Sequence, residues 1–396
     1  MRLVLYTGKG GVGKTTTAAA TAACAVERNR RTLVVSADAA HSLGDVFEHR
    51  LGPEPTEIAP GLDGLEVDPR AELLRHWGSI RDYLVAMFQY QGIEGVVAEE
   101  LALLPGAEEI TTLLAVEQMA ESGGYDFVIV DCAPTDSALR LATLPEVAHR
   151  ALRLLLPTMQ AITRVGTPFA QRMVSVPLPR SQVFRDAETL IYKKLKKLRK
   201  RILAPQTSVR IVVTPERVVI DEARRAYTEF ALFEVPCDAV VMNRLLPDAA
   251  AKEEFFASWS RVQEERRREV EETFDPLPVL RAPLFEDEVR GLAQLAELGR
   301  TLFAGVEPDA VLCGSARVRF AREESGYFAE IPLPNATADQ LDVVVIDDEL
   351  VITVGPRRRF LKLPRRMARS RVRRATLDRG LLSVYFDSNT GAEGEA

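Results

Sequence analysis

Cysteine is scarce and scattered in this chain. Cys24, Cys132, Cys237 and Cys313 stand far apart, and no two of them form a CxxC pair. That spacing excludes a disulfide framework and argues against a zinc site built from local sequence, so no zinc is expected. No apolar run is long enough to cross a bilayer, and the amino terminus, MRLVLYTGKGG, meets glycine before it builds the apolar core of a signal peptide. A cytoplasmic location is the expectation. Positive charge is not in excess either: the formal net charge is −6, which gives no reason to expect nucleic acid as a partner. With 46% hydrophobic and 27% charged residues the composition is that of an ordinary soluble protein, and 396 residues exceed one ordinary core. Two domains are therefore expected.

Through residue 305, short apolar runs alternate with long helical patterns. Leu3–Tyr6, Leu33–Ser36, Phe127–Val130, Arg210–Val213 and Ala239–Met242 are rich in Val, Ile and Leu with little polar alternation. Such runs suit parallel strands covered on both faces, and the stretches between them can hold crossover helices. The expected fold is α/β, a doubly wound and mostly parallel sheet. Segments 69–104 and 137–203 read as helical insertions. Within the second, Ile191, Leu195, Leu198 and Ile202 share one helical face, surrounded by Lys193, Lys194, Lys196, Lys197, Arg199, Lys200 and Arg201. A core-facing stripe with a solvated charged side explains that pattern. Peripheral contact with an anionic membrane, or with an acidic partner, is the sharper alternative. After a linker at 306–315 the character changes. Val343–Ile346, Leu350–Val354 and Leu381–Phe386 read as antiparallel strands of an all-β sandwich at 316–389, with a polar tail at 390–396.

The string GKGGVGKTT begins at Gly8, directly after the first strand and before a helix. In such a loop the backbone of Gly8, Lys9, Gly10, Gly11, Val12 and Gly13 turns N–H groups toward phosphate oxygens. The helix start at Lys14, Thr15 and Thr16 adds a favourable dipole. Lys14 brings a cation to the β and γ phosphates of ATP, and the Thr15 hydroxyl is placed to ligate Mg²⁺. Gly8, Gly10 and Gly13 also satisfy the dinucleotide-binding pattern G-x-G-x-x-G, with Asp38 in the position of a ribose acid. The Lys14–Thr15 pair favours the P-loop, since a pyrophosphate-binding turn requires neither. Asp131, ending the run FVIVD, stands where a P-loop fold keeps its Mg²⁺ partner.

Lys9 makes the motif resemble the deviant Walker A of the ParA, MinD, nitrogenase-iron-protein and ArsA group. In that group this lysine reaches the partner's phosphates, which implies a homodimer with two ATPs between its protomers. Further segments narrow the resemblance: DAAHSLGD from Asp38, DCAPTDSALRLATLP from Asp131, TPE at Thr214, VVMNRLL around Asn243 and PLFEDEVRGL from Pro283. Together, in this order, they resemble the ArsA and tail-anchored-protein-targeting ATPases over residues 1–305. The resemblance implies that Asp38 polarises the attacking water and that Thr15 and Asp131 serve Mg²⁺. It also implies that Glu216, Asn243 and Pro283 contact the base and sugar. Ala39 stands where the family has proline, and Asp136–Ser137 where it has glycine–histidine.

Residues 316–386 resemble the α-crystallin domain of small heat-shock proteins, through IPLP at Ile331, the run DQLDVVVIDDELVI, RRRFLKLP and ATLDRGLLSVYF. Between Arg357 and Arg374 arginine is dense and acids are absent; a solvated loop paired with the acidic first domain is the expectation, with phosphate or membrane binding as the alternative. An ATPase fused to such a sandwich implies a dimeric, Mg-dependent machine that opens and closes a groove for a hydrophobic protein or lipid client. An arsenite pump-driving subunit is the second reading. It is weakened by the dispersed thiols and by the lack of a second P-loop. A positioning ATPase of the MinD and ParA kind is the third, and it shares neither the EVRG element nor the β domain.

Overall fold

In the computed structural model, which describes residues 1–37, 42–90, 92–101, 107–122, 124–132, 189–323, 326–367 and 370–387, the apolar runs become the centre of one eight-stranded sheet. Strands β1 (Arg2–Thr7), β2 (Thr32–Ser36), β4 (Leu62–Glu66), β5 (Phe127–Asp131), β6 (Thr207–Val213), β7 (Cys237–Leu245) and β8 (Val279–Pro283) run parallel. Only β3 (Thr56–Ala59) is antiparallel, at the edge beyond β4. The order β3-β4-β2-β5-β1-β6-β7-β8 puts β1 in the middle, with the chain winding outward to both sides. The doubly wound expectation holds. Strands β3, β4 and β8 go beyond the five runs read from sequence.

Helix α1 (Lys14–Glu27) follows β1 after the loop 8–13, and α2 (Leu43–Phe47) follows β2 across a connection that includes four residues outside the description. The insertion at 69–104 contains α3 (Pro69–Tyr90) and α4 (Gly95–Leu101), and α5 (Ala107–Ser122) leads into β5. Most of the 137–203 insertion lies outside the described residues, as do Asp38, Ala39, Asp136, Ser137 and the tail at 390–396. Its last part is a π-helical turn (Thr189–Leu195) that continues as α6 (Lys196–Ile202). Leu195, Leu198 and Ile202 are buried there, while Lys197 and Arg201 pair with Glu121 of α5. The basic helix is thus a core-facing stripe whose charged side is partly neutralised within the fold.

After β6 come α7 (Arg217–Leu232), β7, the short α8 (Asp248–Ala251), α9 (Ala257–Thr273), β8 and α10 (Gly291–Leu302). Helices α1 and α10 cross closely because α1 is rich in alanine and α10 offers Gly299 at the crossing. A Cβ on Gly299 would stand 2.3 Å from the Ala20 carbonyl oxygen and 2.6 Å from the Cys24 Cβ.

The remaining strands form two antiparallel sheets. One has the order β14 (Val372–Asp378), β15 (Leu381–Asp387), β10 (Gly326–Pro332), β9 (Arg319–Glu323); the other is β11 (Leu341–Ile346), β12 (Glu349–Val354), β13 (Arg357–Lys362). Their inward residues, among them Ile331, Leu350, Ile352, Leu382, Val384 and Phe386, are fully buried, in the alternation expected of packed sheets. The arginine-rich stretch is only in part a solvated loop: Arg365 and Arg366 are exposed between β13 and β14. It begins with strand β13, in which Arg359 is only 3% exposed and bonds Glu234 and the Leu232 carbonyl at the end of α7. Arg357 donates to Glu229 at 2.8 Å, and Thr228 donates to the Pro334 carbonyl at 2.6 Å. The β unit is therefore docked on α7 by paired charge and by backbone contacts. Pairing with acids of the first unit was expected; burial in a strand was not.

Candidate nucleotide site

The loop after β1 depends on glycine at both ends. Gly8 has φ +150°, and a Cβ there would stand 2.3 Å from the Val212 carbonyl oxygen of β6. Gly13 has φ +90°, and its Cβ would stand 2.3 Å from the Asn243 side-chain nitrogen. Only glycine accepts both the conformation and the proximity. Asn243, buried at the end of β7, donates through Nδ2 to the Val12 carbonyl at 2.8 Å. Its Oδ1 accepts from the Arg244 backbone N–H at 2.9 Å. The side chain is thus fixed, and with it the far side of the loop. Gly10 and Gly11 are exposed at the tip, and Lys9 is half-buried beside them.

Lys14 opens α1 and is only 7% exposed; its ammonium folds back over the loop and donates to the Lys9 carbonyl at 3.3 Å. Thr15, next in the same turn, donates through Oγ1 to Asp131 Oδ2 at 2.6 Å. Ser42 Oγ lies 3.3 Å from the same hydroxyl. Asp131 is fully buried at the end of β5, in register with Tyr6 of β1 and Ser36 of β2. One strand and the starts of two helices therefore bring a carboxylate and two hydroxyls to one point under the loop. All three are hard oxygen donors, the chemistry that suits Mg²⁺. Among the described residues no group of three or more His, Cys, Asp and Glu could hold a metal by itself. A Mg²⁺ ion held here would need phosphate and water for its remaining ligands, as Mg²⁺ sites commonly do.

Glu216 is the exposed N-cap residue of α7, just after β6, and Pro283 closes β8. With Asn243 they occupy the carboxyl ends of three neighbouring parallel strands, the edge on which α/β sheets bind ligands. Thr16 is half-buried in the first turn of α1. Two residues went unassigned in the sequence reading. Ser42 lies within the string DAAHSLGD, so its signal was present. Arg290, in the EVRG element, donates to the Asp45 carbonyl of α2 at 3.3 Å, and Gly291 beside it lets α10 begin close to Glu48. The EVRG string thus abuts the helix that follows the Asp38 segment.

The cysteines are dispersed in space as well as in sequence. Cys24 is buried in α1, Cys132 directly after Asp131, and Cys237 at the start of β7. Burial pushes each of these thiols up from its ordinary value; Asp131 adds to this at Cys132, and Asp238 and Cys313 add to it at Cys237. A thiol held protonated is a poor nucleophile and a poor ligand.

Residues 1–304 match the family model of the anion-transporting ATPases, and residues 324–386 match a model of the HSP20-like domain found in ArsA. The chain belongs to the ArsA ATPase family. It is an ATP hydrolase, as the intact P-loop indicates. A putative arsenical pump-driving ATPase of Aquifex aeolicus is 33% identical over 396 residues, covering 98% of this chain and 100% of that protein. One from Chlorobaculum tepidum is 33% identical over 368 residues, 92% of this chain and 90% of the other. The ATPase GET3 of Podospora anserina is 28% identical over 324 residues, 76% of this chain and 90% of that one. Similarity in this family therefore extends to proteins named for an arsenical pump and to GET3.

Proposed function

We propose that this ArsA-family ATPase works as a Mg-dependent homodimer that couples ATP binding and hydrolysis to the handling of an apolar client, a hydrophobic protein or lipid. The observation that carries the nucleotide part is the Thr15–Asp131 hydrogen bond beneath a glycine loop tied down by Asn243. In this reading the backbone from Gly8 to Thr16 cradles the phosphates, and Lys14 faces their β and γ oxygens. Thr15 and Asp131 hold Mg²⁺, with Ser42 beside them. When bound, the ion supplies positive charge to the phosphate oxygens as charge develops on them. Asp38 orients and polarises the attacking water, and Lys9 reaches the phosphates of the partner protomer. Glu216, Asn243 and Pro283 line the base and sugar.

The client part rests on the HSP20-like unit. It is docked on α7, whose first residue follows Glu216, and not merely tethered. The proposed division is an ATPase unit at 1–305 with insertions at 69–104 and 137–203, a connection at 306–315, a sandwich at 316–389 and a tail at 390–396. The cytoplasm is the proposed site of action; no helix among the described residues is long and apolar enough to cross a membrane. The test is truncation before Ala316. Every proposed catalytic residue lies earlier, so basal ATP turnover should persist, while suppression of light scattering by an aggregating client should fall to a fraction of the full-length value. Equal suppression by both forms would contradict a client role for the sandwich.

A second reading, a pump-driving role with arsenite, is favoured by the names of the Aquifex and Chlorobaculum relatives. Three buried, separated thiols speak against it here, since arsenite is held by closely grouped thiolates.

A further inference from the structure

The stretch between α10 and the first strand of the sandwich is fastened to the ATPase unit. Arg28, just past α1, bonds the carbonyls of Val306 and Phe303 and pairs with Glu307 at 3.3 Å. Arg30 pairs with Asp309 at 2.8 Å. Further on, the strap meets a buried charge cluster. Arg2 of β1 donates to Asp238 of β7 at 2.7 Å, and Arg210 of β6 donates to the same carboxylate at 3.2 Å. Two cations thus share one buried anion, and the strap completes the set. The Ala310 carbonyl accepts from Arg210 at 3.2 Å and from Arg2 at 3.4 Å, and the Leu312 N–H donates to Asp238 at 3.2 Å. A buried charge left short of partners is costly, so the cluster and the strap stabilise one another.

From Arg210 the network continues to the P-loop helix. Arg210 Nη1 donates to the Tyr6 hydroxyl at 3.3 Å, Tyr6 and Thr21 hydroxyls lie 2.6 Å apart, and Thr21 donates to the Thr17 carbonyl at 2.8 Å. Thr21 has one hydroxyl proton and gives it to Thr17, so Tyr6 must donate to Thr21. The donors therefore run in one direction, from Arg210 through Tyr6 and Thr21 into the first turns of α1. Thr17 itself closes back on the loop, donating through both its N–H and its hydroxyl to the Gly13 carbonyl, at 3.0 and 2.7 Å.

We infer that Arg210, Tyr6 and Thr21 are positioning residues for the ATPase reaction, and that strap 306–313 is an intramolecular input to the P-loop through them. None of the three touches the proposed phosphate site. They act by fixing the turn of α1 whose N–H groups face it. The strap that seats Arg210 also leads directly to the docked sandwich, where the Val318 N–H donates to Glu234 at 3.1 Å. Displacement of the sandwich would thereby be felt as a change in ATP affinity. This inference rests on the P-loop reading. Failure of that reading would appear as absent ATP turnover in the wild-type chain, whereas failure of the inference appears in the comparison below.

The test is a double-mutant cycle in the full chain, read as KM for ATP against kcat. Tyr6→Phe removes the relay hydroxyl, and Leu312→Pro removes the strap N–H. Each should raise KM roughly two- to ten-fold, the range of one hydrogen bond, with kcat near wild type. Because both act through one network, the double variant should exceed the larger single effect by less than about two-fold. A KM equal to the product of the two single effects would overturn the proposal, as would losses confined to kcat. Should Leu312→Pro fail to fold, hydrogen exchange of the Leu312 amide decides the matter. It should slow when a non-hydrolysable ATP analogue saturates the wild type and keep its rate in Tyr6→Phe. An exchange rate unaffected by the analogue in the wild type would overturn it equally.

Discussion

Lys14 and Asp131 are the single residues on which the proposed nucleotide site leans most. Lys14 is buried over its own loop and Asp131 is buried beneath it, so each charge sits where water screens it poorly. Removing one such preorganised charge from a transition state costs on the order of 3 kcal/mol, about a hundredfold in rate. Lys14→Ala should therefore nearly abolish turnover, whereas Asp38→Asn should keep nucleotide affinity and slow only hydrolysis. Fluorescent-nucleotide binding beside phosphate release separates the two, and unchanged turnover in Asp38→Asn would remove its assigned role. At this scale the sequence was most informative. Glycine at 8 and 13, and the Lys14–Thr15 pair, have few other uses in that order. Arg210, Tyr6 and Thr21 could not be read in the same way. Their roles come from register across β1 and β6 and from helix facing, and a lone Tyr or Thr in an apolar run looks like packing.

Elements were legible where one kind of force dominates. Strands β1, β2, β5, β6 and β7 lie inside the sheet with both faces covered, so their sequences are continuous apolar runs. Strands β3, β4 and β8 mix polar residues, glycine or proline with apolar ones because they lie at or near an edge, where Arg281 and Pro283 are tolerated. Strand β13, with sequence RRRFLK, hid behind its arginines; Arg359 turns inward and is neutralised by Glu234, a partner distant in sequence. The crossing of α1 and α10 offers a test of packing. Gly299→Ala adds a methyl that meets the Ala20 carbonyl, and overpacking of this kind costs about 1–3 kcal/mol. The gain in helix propensity, about 1 kcal/mol, offsets only part of that. Urea unfolding should show a lowered midpoint, and an unchanged or raised one would mean that the helices separate at little cost.

For the whole molecule, the division into a nucleotide-binding α/β unit and a β unit was legible because the two use different hydrophobic periods. Their docking was not, because Thr228–Pro334 and Arg357–Glu229 join residues more than a hundred positions apart. The proposed dimer belongs to this scale too. If Lys9 serves the partner's phosphates, Lys9→Ala should weaken self-association promoted by a non-hydrolysable ATP analogue while leaving nucleotide binding to the protomer largely intact. Sedimentation velocity of wild type against variant reads this directly, and a wild type that stays monomeric with the analogue would refute the shared site. The central claim is that ATP hydrolysis here serves an apolar client and not a metalloid. It is tested most directly by steady-state ATP turnover titrated with arsenite, in the wild type and in a variant with Cys24, Cys132, Cys237 and Cys313 replaced by Ser or Ala. Turnover should stay essentially unchanged by arsenite in both proteins. Strong stimulation of the wild type that disappears in the cysteine-free variant would contradict the claim and establish the pump-driving reading in its place.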